Sequence, residues 1–408
     1  MIIMVKQSKE FRNSFFARLP GVKYLPPDDR YMFALPTPKY KFNIIGSGMM
    51  GIEHLRVTYL ESRAIIHGIY DPNPQSVAAA QGALSQIDPN LKLKVYDSLE
   101  SACMDPEVDG LIISTPNFSH ISVIREAVKS KKHILLEKPM ATTITDAYEI
   151  YTIAKNYPAV FQIGLQYRYK AMYVDAIQEA LHHRKLGDIK MIHILEHRYP
   201  FLDKVNQWNK FNQYSGGTLV EKCCHYFDLM NLFAQSRPVK IYATGSMAVN
   251  FKTFEYKGRK SDILDNAVVS VDYNNGVRAG FTLCMFSPQF YEELMLCGDE
   301  GHLRTYESRD FLPVTKQKTY LEIKAGEKST SRISQPCYPT FIEQSGHGGA
   351  TFFEHKYFID TLEGKQTTVA TAEEGFWSIV VGYAAQRSIE LGIPIDIDEL
   401  LQKNSISL

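Results

Sequence analysis

A glycine-rich turn between an apolar strand and a helix narrows the fold more than any other feature of this chain. Residues 41–48, KFNIIGSG, read as a buried strand, and MMGIEHLRVTYL as the helix that follows. The turn is Gly46-Ser47-Gly48-Met49-Met50-Gly51. In such a G-x-G-x-x-G spacing Gly46 allows the tight turn, Gly48 lets the backbone approach a diphosphate, and Gly51 lets helix and strand pack closely. The unsatisfied N–H groups at the helix start then face the anion. Asp71 lies 20 residues beyond Gly51, at the end of the next strand, AIIHGIYD. A carboxylate there accepts hydrogen bonds from a ribose and repels a 2′-phosphate, favouring NAD over NADP. The blander alternative is a turn that binds nothing, with Asp71 capping the helix after Pro72. The coincidence of loop, acid and strand–helix context weighs against it.

The pattern continues through residues 41–163. SVAAAQGALSQI, SHISVIREAVKSKK and TITDAYEIYTIAKNYP read as helices between the strand candidates LKLKVYD, VDGLIIST, HILLEKP and AVFQIGLQ. Continuously apolar strands separated by helices imply a parallel sheet covered on both faces, here a doubly wound Rossmann α/β domain for NAD(P). Residues 164–408 have another texture. AMYVDAIQEALHHRKLG reads as a helix, GDIKMIHILEHRYP as a long strand and GGTLVEKCCHYFDLMNLFA as a helix after a glycine pair. Alternating strands follow (PVKIYATGSMAV, NAVVSVDY, VRAGFTLCMF, EELMLCGD, HLRTYE), with turns at Asn274-Asn275-Gly276 and Asp299-Glu300-Gly301. Late helices are expected over 350–363 and 371–391, the second ending at Gly392. This part is expected to be an α+β domain, an open and mainly antiparallel sheet with helices on one face, forming the substrate domain. Residues 1–40 form an N-terminal extension. Phe15, Phe16, Tyr24, Tyr31, Met32 and Phe33 make it a candidate for a packed arm at a subunit contact.

Bulk properties exclude several classes. The 408 residues exceed one ordinary core, and 45 Lys+Arg balance 45 Asp+Glu, which argues against a generic nucleic-acid binder. No apolar run approaches the roughly 18–20 residues of a membrane helix. Lys6, Lys9 and Glu10 break the N-terminal apolar stretch too early for a secretory leader. Six cysteines without a framework spacing fit a cytoplasmic compartment.

Ligands of a doubly wound sheet sit beyond the carboxyl ends of its strands. Ser114-Thr115-Pro116-Asn117-Phe118-Ser119-His120 ends one strand there, and Glu137-Lys138-Pro139 ends the next. Ser114, Thr115, Pro116, Asn117, His120, Glu137 and Lys138 therefore join the glycine loop and Asp71 as candidate cofactor contacts. Oxidation of a carbinol needs a base within reach of its hydroxyl. Lys138 can orient that hydroxyl or stabilise a developing alkoxide, the more so if desolvation lowers its pKa.

These segments, with GTLVEKCCHYFD (217–228), GLQYRY (164–169) and EEGFWSIVVGYAAQRSIELGIPI (373–395), resemble the glucose–fructose oxidoreductase/inositol dehydrogenase (Gfo/Idh/MocA) family over roughly residues 41–400. The resemblance implies a cis or otherwise restricted turn at Pro139 and a histidine, His225, acting on the substrate hydroxyl. The family's Asp-x-x-x-His maps to Glu221 and His225, four apart and on one face of a helix. The longer Glu221 can orient His225 or bind a substrate hydroxyl. Lys222 has three open roles: substrate contact, ion pair with Glu221, or a share in proton transfer. Tyr167, Arg168 and Trp208 are expected on the substrate side, with Tyr169, His197, Arg198, Tyr199 and Asn209 as further polar candidates. Aromatic rings with hydrogen-bonding groups suit a polyol. A zinc site from Glu221, Cys223, Cys224 and His225 is not expected, because adjacent cysteines on a helix point about 100° apart.

The leading reading is an NAD-dependent dehydrogenase of a secondary alcohol on a sugar, sugar derivative or cyclitol. The alternatives are a redox-neutral hydrolase or lyase that keeps NAD bound, and a non-catalytic NAD(P)-binding regulator. The resemblance implies a homodimer or homotetramer formed through the exposed sheet face.

Overall fold

The computed structural model describes residues 37–312, 317–367 and 369–408. The expected arm over 1–40 lies outside them except at its last four residues. The first domain is a six-stranded parallel sheet built from β1 (Tyr40–Ile45), β2 (Ala64–Tyr70), β3 (Lys94–Val95), β4 (Gly110–Ile113), β5 (His133–Glu137) and β6 (Phe161–Gly164). The order is β3-β2-β1-β4-β5-β6, two mononucleotide halves meeting at β1 and β4. Phe42, Ile44, Ile45, Ile112 and Leu135 are fully buried because helices cover both faces. The run LKLKVYD pairs only at Lys94 and Val95, both exposed on the sheet edge.

The second sheet has nine strands, in the order β16-β15-β14-β13-β7-β12-β11-β8-β17. They are β7 (Ile189–His197), β8 (Pro238–Ser246), β11 (Asn266–Tyr273), β12 (Arg278–Cys284), β13 (Gln289–Gly298), β14 (Gly301–Asp310), β15 (Lys318–Ala325), β16 (Arg332–Ser334) and β17 (Ile395–Asp396). A small hairpin, β9 (Glu255–Tyr256) and β10 (Arg259–Lys260), stands apart. Every neighbour pair in the large sheet is antiparallel except β7–β12. Alternation decides the faces: Ala267, Val269 and Val271 of β11 point inward, while Val268 points out, as do Met191, Tyr242 and Met295 elsewhere on the same face.

Helix Ala372–Leu391 starts with a capping box between Thr371 and Glu374 and stops at Gly392, whose φ is +70°. It packs on helix Ile144–Lys155 of the first domain and on helix Cys224–Ala234 and β8 of the second. One continuous apolar core therefore runs through both domains. Helix Ala350–Leu362, which belongs to the 164–408 part of the sequence, returns to the first domain. It lies on helix Met49–Glu61, and Phe358 and Ile359 fill the same core as Phe42 and Ile44. The stretch after Gly216-Gly217 is not one helix. Thr218–Glu221 and Cys224–Ala234 are separated by a turn at Lys222-Cys223.

Candidate active site

The glycine loop has the geometry an approaching diphosphate requires. Gly46 sits at φ +91°, and a Cβ there would meet the backbone of Ser114 and Thr115 at 2.7–2.8 Å. A Cβ on Gly51 would lie 2.2 Å from the Gly46 carbonyl oxygen, whereas one on Gly48 would meet nothing within 4 Å. Two glycines are thus demanded by the protein itself, while the middle one borders open space. Helix Met49–Glu61 has no side-chain N-cap, so its first N–H groups are left for an anion. Met49 is exposed at this end and Met50 half-buried. The Asp71 carboxylate accepts from the Ser47 N–H (2.8 Å) and the Asn73 N–H (2.8 Å), which ties the turn to the end of β2. The helix after Pro72 is capped by Asn73 instead, so Asp71 serves the loop. Ser114 Oγ donates to the Gly46 carbonyl (2.7 Å), locking the two strand-end loops together. These residues fit a dinucleotide: the loop leaves room for a diphosphate, and the Asp71 carboxylate stands at the end of β2 beside it.

Lys138 follows β5, and its peptide bond to Pro139 is cis. Its Nζ crosses to the second domain and donates to the Glu221 main-chain carbonyl (3.0 Å). Burial pulls the ammonium down, but Glu221 and Glu137 outweigh it and hold the pKa above the ordinary lysine value. Desolvation therefore does not lower this lysine on balance. Glu221 is buried, with Asn117 Nδ2 donating to Oε2 and Lys204 Nζ at 3.5 Å from Oε1. Burial pushes its carboxyl up, and Lys204 with Lys138 more than reverses that. Asn117 also donates to the Ser215 carbonyl (3.2 Å), so it spans the gap between domains and does not point along the loop.

His225 lies flat on Tyr167, with ring centroids 3.9 Å apart and planes within 7°. The Tyr167 hydroxyl accepts from Lys222 Nζ, which also faces the buried Glu196 carboxylate at 3.1 Å. Burial, then Lys138 and Lys222, push the imidazole well below its ordinary pKa, so His225 is neutral. Its Nδ1 has no hydrogen-bond partner among the described residues. Glu221 therefore does not orient His225 through that nitrogen, because the turn at Lys222-Cys223 sends the carboxylate toward Asn117 and Lys204. Lys222 pairs with Glu196 and Tyr167, not with Glu221. Its neighbours Cys223 and Cys224 are fully buried.

Three expected contacts face elsewhere. Arg168 is turned from the substrate side, its guanidinium forked onto Asp228 (2.6 and 2.5 Å) and reaching Glu374 (2.8 Å). Glu137 points inward, accepting from the Lys138 N–H (3.0 Å) and meeting His54 Nε2 at 3.0 Å. His120 is buried between the carbonyls of Pro139 and Thr115, both at 2.9 Å, and so positions both loops. Thr115 keeps a buried hydroxyl without a partner beside the glycine turn, and Pro116 is half-buried next to it. Trp208 is near the site, its ring under Lys204 Nζ at 4.6 Å and edge-on to Phe118. Arg198 faces Glu196 at 3.6 Å. Lys204 and Glu196 carried no motif, and only tertiary contact reveals them.

A dinucleotide loop and Lys138 at the strand ends of a Rossmann sheet, with a neutral histidine on the facing second domain, define a nicotinamide-dependent oxidoreductase. The chain belongs to the Gfo/Idh/MocA oxidoreductase family: its NAD-binding Rossmann model matches residues 40–165 and its C-terminal alpha/beta model residues 178–397. Myo-inositol 2-dehydrogenase of Thermotoga maritima is 21% identical over 365 residues, 88% of this chain and 99% of that protein. The uncharacterized oxidoreductase YrbE of Bacillus subtilis is 23% identical over 362 residues, 87% of this chain and 96% of that protein. Among solved structures, levoglucosan dehydrogenase in complex with NADH superposes with a TM-score of 0.72 at 17% identity, covering 88% of this chain and 99% of that one. The WlbA dehydrogenase of Bordetella pertussis, with NADH and UDP-GlcNAcA, gives 0.67 at 19%, covering 88% and 98%. At these identities the structures establish the fold.

Proposed function

We propose that the protein is an NAD-dependent dehydrogenase acting on a secondary hydroxyl of a sugar, sugar derivative or cyclitol. The observation that carries this reading is that Lys138 binds the Glu221 carbonyl, at the turn leading into the helix of His225. Relatives named as inositol dehydrogenases support the substrate class. Asp71 supports NAD over NADP, since its carboxylate at the end of β2 repels a 2′-phosphate.

When bound, the nicotinamide supplies the hydride acceptor. The residues of this chain handle the proton. The cationic Lys138 donates a hydrogen bond to the substrate oxygen and stabilises the charge that develops on it. The neutral His225 accepts the hydroxyl proton, with its ring held flat by Tyr167. Lys222 fixes Tyr167 through its hydroxyl, and Asn117 fixes Glu221, so both domains contribute to one geometry. Polar and aromatic groups at Tyr167 and Trp208 would face the polyol. The exposed apolar face of the second sheet, at Met191, Tyr242, Val268 and Met295, supports a homo-oligomer covering that face. The six unpaired cysteines support a cytoplasmic protein. Among the described residues no helix is long and apolar enough to cross a membrane.

The test is a screen of sugars and cyclitols for NADH formation, followed by Lys138→Ala and His225→Ala. Each variant is expected to lose about 10²–10⁴-fold in kcat while NAD affinity changes little. Product release without net NADH would show redox-neutral chemistry instead. Variants that keep full turnover would remove both residues from the mechanism.

A further inference from the structure

Behind the Lys138 loop, inside the first domain, lies a cluster for which the oxidoreductase chemistry has no use. His54 of helix Met49–Glu61, Glu137 at the end of β5 and Glu354 of helix Ala350–Leu362 bring one ligand atom each to within 4.8 Å of one another, and all three are buried. Hydrogen-bond directions constrain the histidines. Thr58 Oγ1 gives its proton to the His54 carbonyl (2.8 Å), so at His355 Nδ1 (3.3 Å) it can only accept. A neutral His355 therefore carries its proton on Nδ1 and presents a bare Nε2 to His54 Nδ1 at 2.8 Å. His54 must then donate from Nδ1. Its Nε2 then faces Glu137 Oε1 at 3.0 Å, a contact that needs either a second proton on the ring or a cation between nitrogen and oxygen.

Glu354 supplies the unpartnered acceptors. It is fully buried, and neither carboxylate oxygen has a hydrogen-bond partner. Gln162, whose amide donates to the Glu354 main-chain carbonyl (3.4 Å), leaves its own buried Oε1 unpartnered. Buried acceptors without donors are costly, and a cation among them removes the cost at once. The outer contacts are also those of ligands. His355 holds the far nitrogen of His54, and the Lys138 N–H holds the far oxygen of Glu137 (3.0 Å).

We propose that His54, Glu137 and Glu354 form a divalent transition-metal site, with one imidazole and two carboxylates as ligands, that anchors the Glu137-Lys138-Pro139 loop from behind. One nitrogen and two oxygens suit zinc or manganese. Tetrahedral zinc with bonds of about 2.0–2.2 Å holds its ligand atoms roughly 3.3–3.6 Å apart, so a short inward turn of Glu354 brings the three ligands to zinc distance and leaves the fourth position for a water. The site does not depend on the proposed substrate or on NAD.

The test uses the full chain, purified without an immobilised-metal column. Elemental analysis should find about one equivalent of zinc or manganese. After stripping with a chelator, ZnCl2 or MnCl2 alone should raise the melting temperature in a concentration-dependent way. Glu354→Gln and His54→Gln should each abolish retention and the melting shift; two variants guard against one failing to fold, and the wild-type titration stands by itself. Wild-type protein that holds no metal and gains no stability from either salt overturns the proposal, as do folded variants that bind metal like the wild type. NAD binding by fluorescence is read in parallel, so loss of the metal claim and loss of the oxidoreductase reading are distinguishable.

Discussion

Arg168→Met separates a structural arginine from a substrate-binding one. The wild-type guanidinium is 5% exposed and makes a bidentate pair with Asp228, itself 1% exposed, while its third nitrogen reaches Glu374. Methionine fills much of the same volume but leaves the Asp228 carboxylate buried with no other hydrogen-bond donor among the described residues. Removing one partner of such a pair costs about 3–5 kcal/mol. Glu374 contributes little to the loss because it is partly exposed and keeps its capping contact with Thr371. Burial already holds Asp228 up at about 6, against the pull of Arg168, and without the arginine it protonates at still higher pH. A carboxyl with a raised folded-state pKa regains stability as pH falls, so the deficit of the variant should narrow between pH 8 and pH 6. Urea unfolding at both pH values measures this, with Asp228→Asn added to the variant as a check. The double variant should be more stable than Arg168→Met alone, because a buried amide costs about 1–3 kcal/mol where a bare carboxylate costs more. A loss below about 1 kcal/mol together with a large rise in KM would refute the reasoning and return Arg168 to the substrate.

Three further outcomes follow from the site. Gly48→Ala should melt like the wild type, because its Cβ meets nothing, yet lose NAD affinity by tenfold or more; Gly51→Ala should lower the melting temperature, because its Cβ meets the Gly46 carbonyl at 2.2 Å. Thermal melts and NAD titrations check both. Asp71→Ser should weaken NAD and improve NADP, read as the ratio of the two kcat/KM values, and an unchanged ratio would remove Asp71 from cofactor choice. The acid limb of kcat/KM should lie well below the ordinary histidine value, because burial and the lysines depress His225; Lys222→Met should move that limb upward, and a limb that stays put would exclude His225 as the base.

Much of this was legible in the residues because it is local. The glycine spacing, the acid at the end of β2 and the Glu-Lys-Pro turn each follow from strand–loop–helix geometry within a few positions. The unread parts depend on contacts between distant segments. Nothing near Arg168 announces that residues 228 and 374 will claim its nitrogens. The Glu221–His225 spacing looks like a single helix face, and the turn at Lys222-Cys223 that sends Glu221 toward Asn117 has no signal in the spacing. The strand Lys318–Ala325 does alternate, with Leu321 and Ile323 inward, but its polar half masks the signal. His54 and His355 are 301 positions apart, and no periodicity joins them.

The course of helix Ala350–Leu362 has a consequence for modularity. The cofactor half is completed by chain that arrives after the whole large sheet has been made except its last edge strand, so it is not a separable cassette. A fragment ending near residue 165 would leave Phe42 and Ile44 without Phe358 and Ile359 against them. A chimaera that grafts another cofactor half onto this sheet must therefore carry a matching counterpart of residues 340–363, or it will expose apolar surface and aggregate.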